Sequence, residues 1–509
     1  MSADGDAHRA AWGPLLDDLG ARRAHGRAMG GEDKLARRRA PGRLDARGRV
    51  AALCDPGSFR EIGVLAGDGT TPADAFVAGL GLVDGRPVYV GAEDVTVAGG
   101  SIGTAGATKR ARLLALALQE RAPVVLMLEG AGHRATNALS PHRPAPNDLQ
   151  AMVDLAGVVP VVVLVAGPAA GHSALAAPLA DHVVMVGSRG CLFAAGPPLV
   201  AAATGEQTTK EDLGGPEVHA VASGLVHQVV ADDRAGTDAI RRYLSYLPSN
   251  AWQHPPGPPD EGGDVGERTL ERLLDLIPPN PRRPYDMGAV LAELVDAGSL
   301  LEVGARHGAS LITAYARLGG HSVAILANQP AVLGGALDVS AAEKGGRFVE
   351  RATAFHLPLV QLADNPGVLA GSASERAGIL RAGARLFAAQ RRADVPKLHV
   401  TLRKAFGFGS SVMGQNAFDH QTVSLAFPGV TLGGIPAGVG AATSGADAET
   451  REALVTAEGS GPWRLASTVT YDDIIDPREL RNALLAGLRT LSARRAETPA
   501  PAQRTGYLP

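Results

Sequence analysis

A chain of 509 residues, 45% hydrophobic, can bury a large core and is too long for one compact body, so two or three are expected. A formal net charge of −3 and a pI near 6.5 exclude a general nucleic-acid or membrane-surface binder. Two cysteines set far apart, Cys54 and Cys191, exclude a disulfide framework and a cysteine-based zinc site, and they fit a reducing compartment.

In chain order, residues 1–50 read as a charged helical arm. Its basic run "KLARRRAPGR" is expected to be a solvated face and not a nucleic-acid patch. The start lacks the basic segment and apolar core of a secretory signal, and "VVPVVVLVAGPAAG" is broken by proline and glycine before it could span a bilayer. A cytoplasmic protein without membrane segments is expected. Two bodies follow, at 51–247 and 286–490. Between them, 248–285 is rich in Pro, Gly and acidic residues and reads as a linker; 491–509 reads as a loose tail.

The two bodies repeat one another. "GGSIGTAGATKRARLLALALQERAPVVLMLEGAG" from Gly99 and "GGALDVSAAEKGGRFVERATAFHLPLVQLADNPG" from Gly334 align without a gap at an offset of 235 residues. Lys109 matches Lys344, and a buried strand pattern matches another. Further on, "VPVVVLVAGPAAGHS" matches "VPKLHVTLRKAFGFGS" with one residue of slippage. Strands alternating with helices imply βα crossovers and a largely parallel sheet, an α/β class.

Three glycine-rich turns recur in each body: "AGGSIG" and "LGGALD", "EGAG" and "DNPG", "AGPAAGHS" and "RKAFGFGS". Each sits where a strand hands over to a helix or loop. Glycine permits positive φ and close backbone approach, and a helix that starts there aims unpaired N–H groups into the turn. Such turns can hold an anion or an oxyanion by main chain alone. Any one of them is as well explained as a tight turn; six at matching places point to function. Other chemistries fit less well. "GGSIGTAG" is neither a phosphate loop nor a dinucleotide fingerprint. Ser173 follows Gly171 but lacks the second glycine of a nucleophile elbow. His133 beside Arg134 reads as a surface hydrogen-bonding residue, and no histidine spacing suggests a metal.

These motifs, with "ANQP", "AAEKGGRFV" and "RKAFGFGSSVMG", resemble the carboxyltransferase (β) subunits of biotin-dependent acyl-CoA carboxylases. The resemblance runs from "GRLDARGRVAALCDPGSFREIG" through "GGPEVHAVASGLVHQVV" and "YDMGAVLAELVDAGSLLEV" to the end of the second body. It implies a tandem duplication of the crotonase (ClpP-like) ββα-spiral fold. It also implies a homohexamer, at least a dimer, with each active site between the first body of one subunit and the second body of another. The implied reaction moves a carboxyl group between carboxybiotin and the α-carbon of an acyl-CoA, through negative charge on the thioester oxygen and on the biotin ureido oxygen. Two oxyanion holes would serve it, Gly171 and His172 for the thioester, Phe408 and Gly409 for biotin. Deprotonated biotin would be the base.

The resemblance places Gly99, Gly100, Ser101 and Lys109 on the CoA side with Gly130, Ala131 and Gly132; for Lys109 a phosphate contact and a solvated first-turn lysine stay equally open. Asn365, Pro366, Gly367 and Gly407 would shape the biotin pocket, and Ser411 the base of the acyl pocket. With no biotinylation site and no ATP-binding loop, the chain would need a biotin carboxylase and biotin carrier (α) partner. His172 and Phe408 depart from the adjacent glycines usual in the propionyl type. That leaves open a decarboxylase or transcarboxylase working from a malonyl-type thioester, and a non-catalytic scaffold.

Overall fold

The computed structural model describes residues 3–40, 42–67, 69–139, 147–257, 265–415, 419–490 and 499–501. The chain divides after Arg242 into two compact units.

The first unit opens with helices α1 (Ala3–Arg27), α2 (Glu32–Arg39) and α3 (Ala46–Leu53). Asp45 starts α3 by accepting the Gly48 N–H. A seven-stranded sheet follows in sequential order: β1 (Arg60–Ile62), β2 (Phe76–Val83), β3 (Arg86–Glu93), β4 (Val124–Leu128), β5 (Val161–Val165), β6 (His182–Val186) and β7 (Gln228–Val230). β2 and β3 form an antiparallel hairpin closed by Asp84 and Gly85, both at positive φ, the turn chemistry that matches strand twist. From β3 onward the pairing is parallel. β4 and β5 are wholly buried runs of Val, Leu and Met, as expected of strands covered on both faces. Helix α4 (Thr104–Glu120) crosses from β3 to β4, and α5 (Asp148–Leu155) precedes β5.

The second unit repeats this plan with β8 (Leu301–Glu302), β9 (Leu311–Leu318), β10 (His321–Asn328), β11 (Leu359–Asn365), β12 (Lys397–Phe406), β13 (Gln421–Ala426) and β14 (Asp473–Ile474). Again one hairpin, β9–β10, is antiparallel, and the pairs from β10 onward are parallel. Helix α6 (Val339–Ala354) matches α4, and α7 (Ile379–Arg392) precedes β12 as α5 precedes β5. Even the isolated bridges repeat, Ile102 with His133 and Leu337 with Val368.

Two expectations change. The basic run in the arm is not simply solvated: Arg38 pairs with the buried carboxylate of Glu129, which also takes Arg49 at 2.6 Å. Residues of the expected linker are core, since Leu270, Leu273, Ile277 and Tyr285 pack into the apolar cluster of the second unit; linker residues 258–264 lie outside the described residues, as do 491–498 and 502–509 of the expected tail. Apolar side chains at helical spacing draw that stretch inward despite its prolines. Both cysteines are free and buried, and burial pushes each thiol up to about 11. Among the described residues no helix is long and apolar enough to cross a membrane, and no cluster of potential metal ligands occurs.

Candidate active site

In the first unit the three glycine turns are tied into one wall. Gly99 and Gly100 take φ of 64° and 67°, and a Cβ on Gly100 would stand 2.9 Å from the Gly130 Cα. Ala131 donates its N–H to Gly99 O at 3.1 Å, Ile102 to Gly132 O at 2.7 Å, and Ala170 to Gly130 O at 3.0 Å. So Gly99, Gly100, Gly130, Ala131 and Gly132 are brought together with the turn of Gly171 and His172. Ser101 is buried: its hydroxyl donates to Ala98 O at 2.7 Å and accepts from Arg134, which is anchored on Asp74 at 2.6 Å. His133 is exposed and lies 3.2 Å from the Asn137 amide.

The donor set differs from the expected one. Gly171, at φ 57°, gives its N–H to Phe193 O at 3.0 Å. Its N–H is committed, and its contribution is the left-handed bend. The N–H groups of His172 and Gly132 have no acceptor among the described residues. They are neighbours, since a Cβ on Gly132 would lie 3.5 Å from the His172 nitrogen. Two unpaired N–H donors on this partly exposed wall can hold an oxygen that gains negative charge.

Behind this wall runs a buried polar chain. The His172 Nε2 lies 2.5 Å from Asp148 Oδ1. Asp148 Oδ2 accepts from Arg110 Nε at 2.7 Å, and Arg110 Nη1 reaches Glu93 Oε1 at 2.9 Å. Ser173, fully buried, donates its hydroxyl to the same Glu93 oxygen at 2.5 Å, which removes it as a nucleophile. Glu93 Oε2 in turn accepts the Glu129 N–H at 2.8 Å, holding the start of the 129–132 turn.

Lys109 corrects both of its readings. It is 5% exposed, and its ammonium donates to the carbonyls of Phe76 and Ala73. Burial lowers it to about 8, and the same is true of Lys344, whose ammonium donates to Gly304 O at 3.2 Å. A buried lysine held below its unfolded value penalises folding at low pH. The folded state sheds the proton from about pH 8 while the unfolded chain keeps it to about 10.5, so stability rises with pH across that window. The melting temperature of the wild type should therefore gain on that of Lys109→Met between pH 8 and 10; a constant gap would show that the lysine does not titrate there.

In the second unit Gly334 and Gly335 repeat the first turn at φ 63° and 86°, and Leu337 donates to Gly367 O at 3.2 Å. Asn365 is fully buried: it accepts the Gly367 N–H at 3.0 Å and donates to Asn328 Oδ1 at 3.2 Å. Its side chain therefore shapes the turn from beneath, while Pro366 is half-buried. Gly407, at φ 53°, opens the short helix α8 (Gly407–Val412), so the N–H groups of Phe408 and Gly409 lie in a first turn without intrahelical acceptors. Gly409 is seated on the second turn; a Cβ there would stand 2.6 Å from the Gly367 Cα. The Phe408 ring is 44% exposed and leans on α7, 5.6 Å from the Phe387 ring. Ser411, half-buried, is on the same helix.

Beneath this turn, buried Asp364 binds Arg403 at 2.7 Å, Lys404 at 3.3 Å and the Tyr285 hydroxyl at 2.9 Å. Burial, with the Asp364 charge, pushes the Tyr285 phenol well above its ordinary value. Glu129 and Asp364 are 235 residues apart, as are Glu93 and Asn328. The repeat offset could therefore have singled out these four positions; Arg110 and Asp148 leave no such mark.

Residues 37–505 match the family model described as the carboxyl transferase domain. The chain is 34% identical over 505 residues to the carboxyltransferase subunit of propionyl-CoA carboxylase from Haloferax mediterranei, covering 95% of this chain and 97% of that protein. It is 34% identical over 505 residues to the methylmalonyl-CoA carboxyltransferase 12S subunit of Propionibacterium freudenreichii subsp. shermanii, covering 95% of each. The α subunit of methylmalonyl-CoA decarboxylase from Veillonella parvula is also 34% identical, over 495 residues, covering 95% of this chain and 96% of that protein. Among solved structures, the transcarboxylase 12S hexamer with hydrolysed methylmalonyl-CoA bound superposes with a TM-score of 0.87 at 33% identity, covering 97% of this chain and 98% of that one. The doubled crotonase-like α/β fold expected above is the fold observed.

Proposed function

The chain belongs to the carboxyl transferase domain family, and from that premise we propose that it moves a carboxyl group between carboxybiotin on a separate carrier protein and the α-carbon of a short acyl-CoA. The observation that carries this reading is the pair of unclaimed N–H groups at His172 and Gly132, supported by the matching turn at Phe408 and Gly409. Removing the α-proton or the α-carboxyl of a thioester puts negative charge on its oxygen, and we assign that oxygen to the first pair. Each donor of this kind lowers the barrier by about 3–4 kcal/mol. We assign biotin to the second turn, where the first-turn N–H groups of α8 suit a ureido oxygen. Carboxybiotin, a substrate here, supplies the activated carboxyl group. Gly99, Gly100 and Ala131 form backbone beside the thioester, and Ser411 limits the acyl group.

In this reading residues 51–247 handle acyl-CoA and 286–490 handle biotin. A hexamer fits the transcarboxylase 12S structure above; a cytoplasmic location and a biotin carboxylase and biotin carrier partner complete the proposal. Purified protein mixed with such a carboxylase, its biotinylated carrier, ATP and bicarbonate should carboxylate acetyl-CoA or propionyl-CoA, read as fixed labelled bicarbonate. It should also exchange carboxyl between methylmalonyl-CoA and free biotin. Binding of the carrier with no transfer to any acyl-CoA in a panel would leave a scaffold in place of an enzyme.

A further inference from the structure

We propose that His172 and Asp148 form a general acid–base dyad that moves a proton at the α-carbon of the bound acyl-CoA, with His172 Nδ1 as the exchanging atom and Asp148 as its positioning residue. The inference rests on the carboxyl-transfer reading, from which it takes the thioester site.

The geometry is that of an oriented imidazole. Asp148, with its side chain 5% exposed, fixes the ring through the 2.5 Å contact to Nε2. Nε2–H donates to the carboxylate, so the tautomer leaves the lone pair on Nδ1. Nδ1 has no partner among the described residues, and the side chain is 29% exposed. Asp148 is in turn clamped by Arg110. Burial alone would raise its carboxyl, but the hydrogen bond with His172 and the Arg110 charge hold it at about 2, so it stays a carboxylate and does not itself take the proton. The buried chain holds two carboxylates, Asp148 and Glu93, against one guanidinium, so a proton on His172 leaves it neutral.

Position favours chemistry over mere bracing. His172 carries an N–H group with no acceptor among the described residues, and the α-carbon of a thioester is two bonds from the oxygen such a group would hold, so the same residue would offer the N–H to the oxygen and Nδ1 to the neighbouring carbon. The second unit shows that the turn needs no polar brace. At the corresponding place Phe408 stands on α7, where a Cβ on Gly383 would lie 3.1 Å from its ring. An apolar contact holds that turn; in the first unit the matching contact is a histidine on a buried carboxylate.

In one direction Nδ1 takes the α-proton: the C–H bond breaks, its electron pair enters the enolate, and the oxygen charge rests on the His172 and Gly132 N–H groups. In the other, the C–CO2 bond of a malonyl-type thioester breaks, carbon dioxide departs, and the electron pair left on the enolate takes a proton from Nδ1.

The test is solvent exchange without biotin. Propionyl-CoA incubated with the full chain in D2O, with no biotin or carrier present, should acquire deuterium at C2. His172→Gly should lower that rate about 100-fold or more, the scale of a lost general base, and added imidazole should restore part of it. Asp148→Asn, with a thermal melt to verify folding, should lower the rate at least 10-fold at unchanged KM for propionyl-CoA. Wild-type protein that transfers carboxyl from the carrier but exchanges no deuterium would overturn the dyad and leave the transferase intact. His172→Gly exchanging at the wild-type rate would overturn it also. If neither exchange nor transfer occurs with any thioester, the carboxyl-transfer reading fails, and this inference fails with it.

Discussion

Gly409→Ala should lower kcat for carboxyl transfer by about 10²–10³, the cost of misplacing oxyanion donors. The reason is steric and local. A methyl at 409 would stand 2.6 Å from the Gly367 Cα and 2.9 Å from its carbonyl carbon, and it would also collide with the Asn365 side-chain oxygen. Two of these neighbours are backbone, so the clash cannot be relieved by a rotamer change. Helix α8 must lift off the 365–367 turn, and the N–H groups of Phe408 and Gly409 move with it. The half-site in the first unit has its own backbone, so deuterium exchange into propionyl-CoA should persist in this variant. Gly438→Ala, where nothing lies within 4 Å of the added carbon, is the control and should be silent. Gly409→Ala retaining more than a third of wild-type kcat would place the biotin-side donors elsewhere.

The second large effect is on stability. Glu129→Ala should destabilise the first unit by about 3–5 kcal/mol, because removing one partner of a buried ion pair strands the other. Glu129 is 3% exposed and is the partner of both Arg38 and Arg49. Arg49, 1% exposed, would keep Asp233 at 2.9 Å, but Arg38 would keep no carboxylate. For a unit of this size the melting temperature should fall on the order of 10 °C. A drop of less than 2 °C by differential scanning calorimetry would show that water solvates the stranded arginines. The effect should reach function as well, since Glu129 begins the turn that carries Gly132.

The frame of the molecule was readable because its signals are local. Glycines paired before a helix, runs of Val and Leu too short for a helix, and an ungapped offset of 235 residues match α4 and β4 to α6 and β11 in sequence before any coordinates. The turns were readable for the same reason: φ at Gly99, Gly171, Gly334 and Gly407 is positive, a conformation that glycine permits. What could not be read depends on distance in the chain. Lys109 looks like a first-turn surface lysine until Ala73 and Phe76, more than thirty residues earlier, cover it. Asp148, at the start of α5, meets His172, in a turn, and neither sits in a recognisable spacing with the other. Arg38 reads as solvated because its carboxylate is supplied from the end of β4. The commitment of the Gly171 N–H was hidden in the same way, since its acceptor, Phe193, lies on another strand.

The duplication has an evolutionary consequence. Glycines at equivalent positive-φ corners and a buried lysine in each copy preserve the backbone twice, while positions 172 and 408 carry different side chains on the same scaffold. Selection can therefore rewrite how one copy treats its substrate without renegotiating the other. A gene that doubles such a frame inherits two independently adjustable half-sites, and under the proposed assignment a new thioester preference can arise by drift in the first copy without any change to the biotin-side turn of the second.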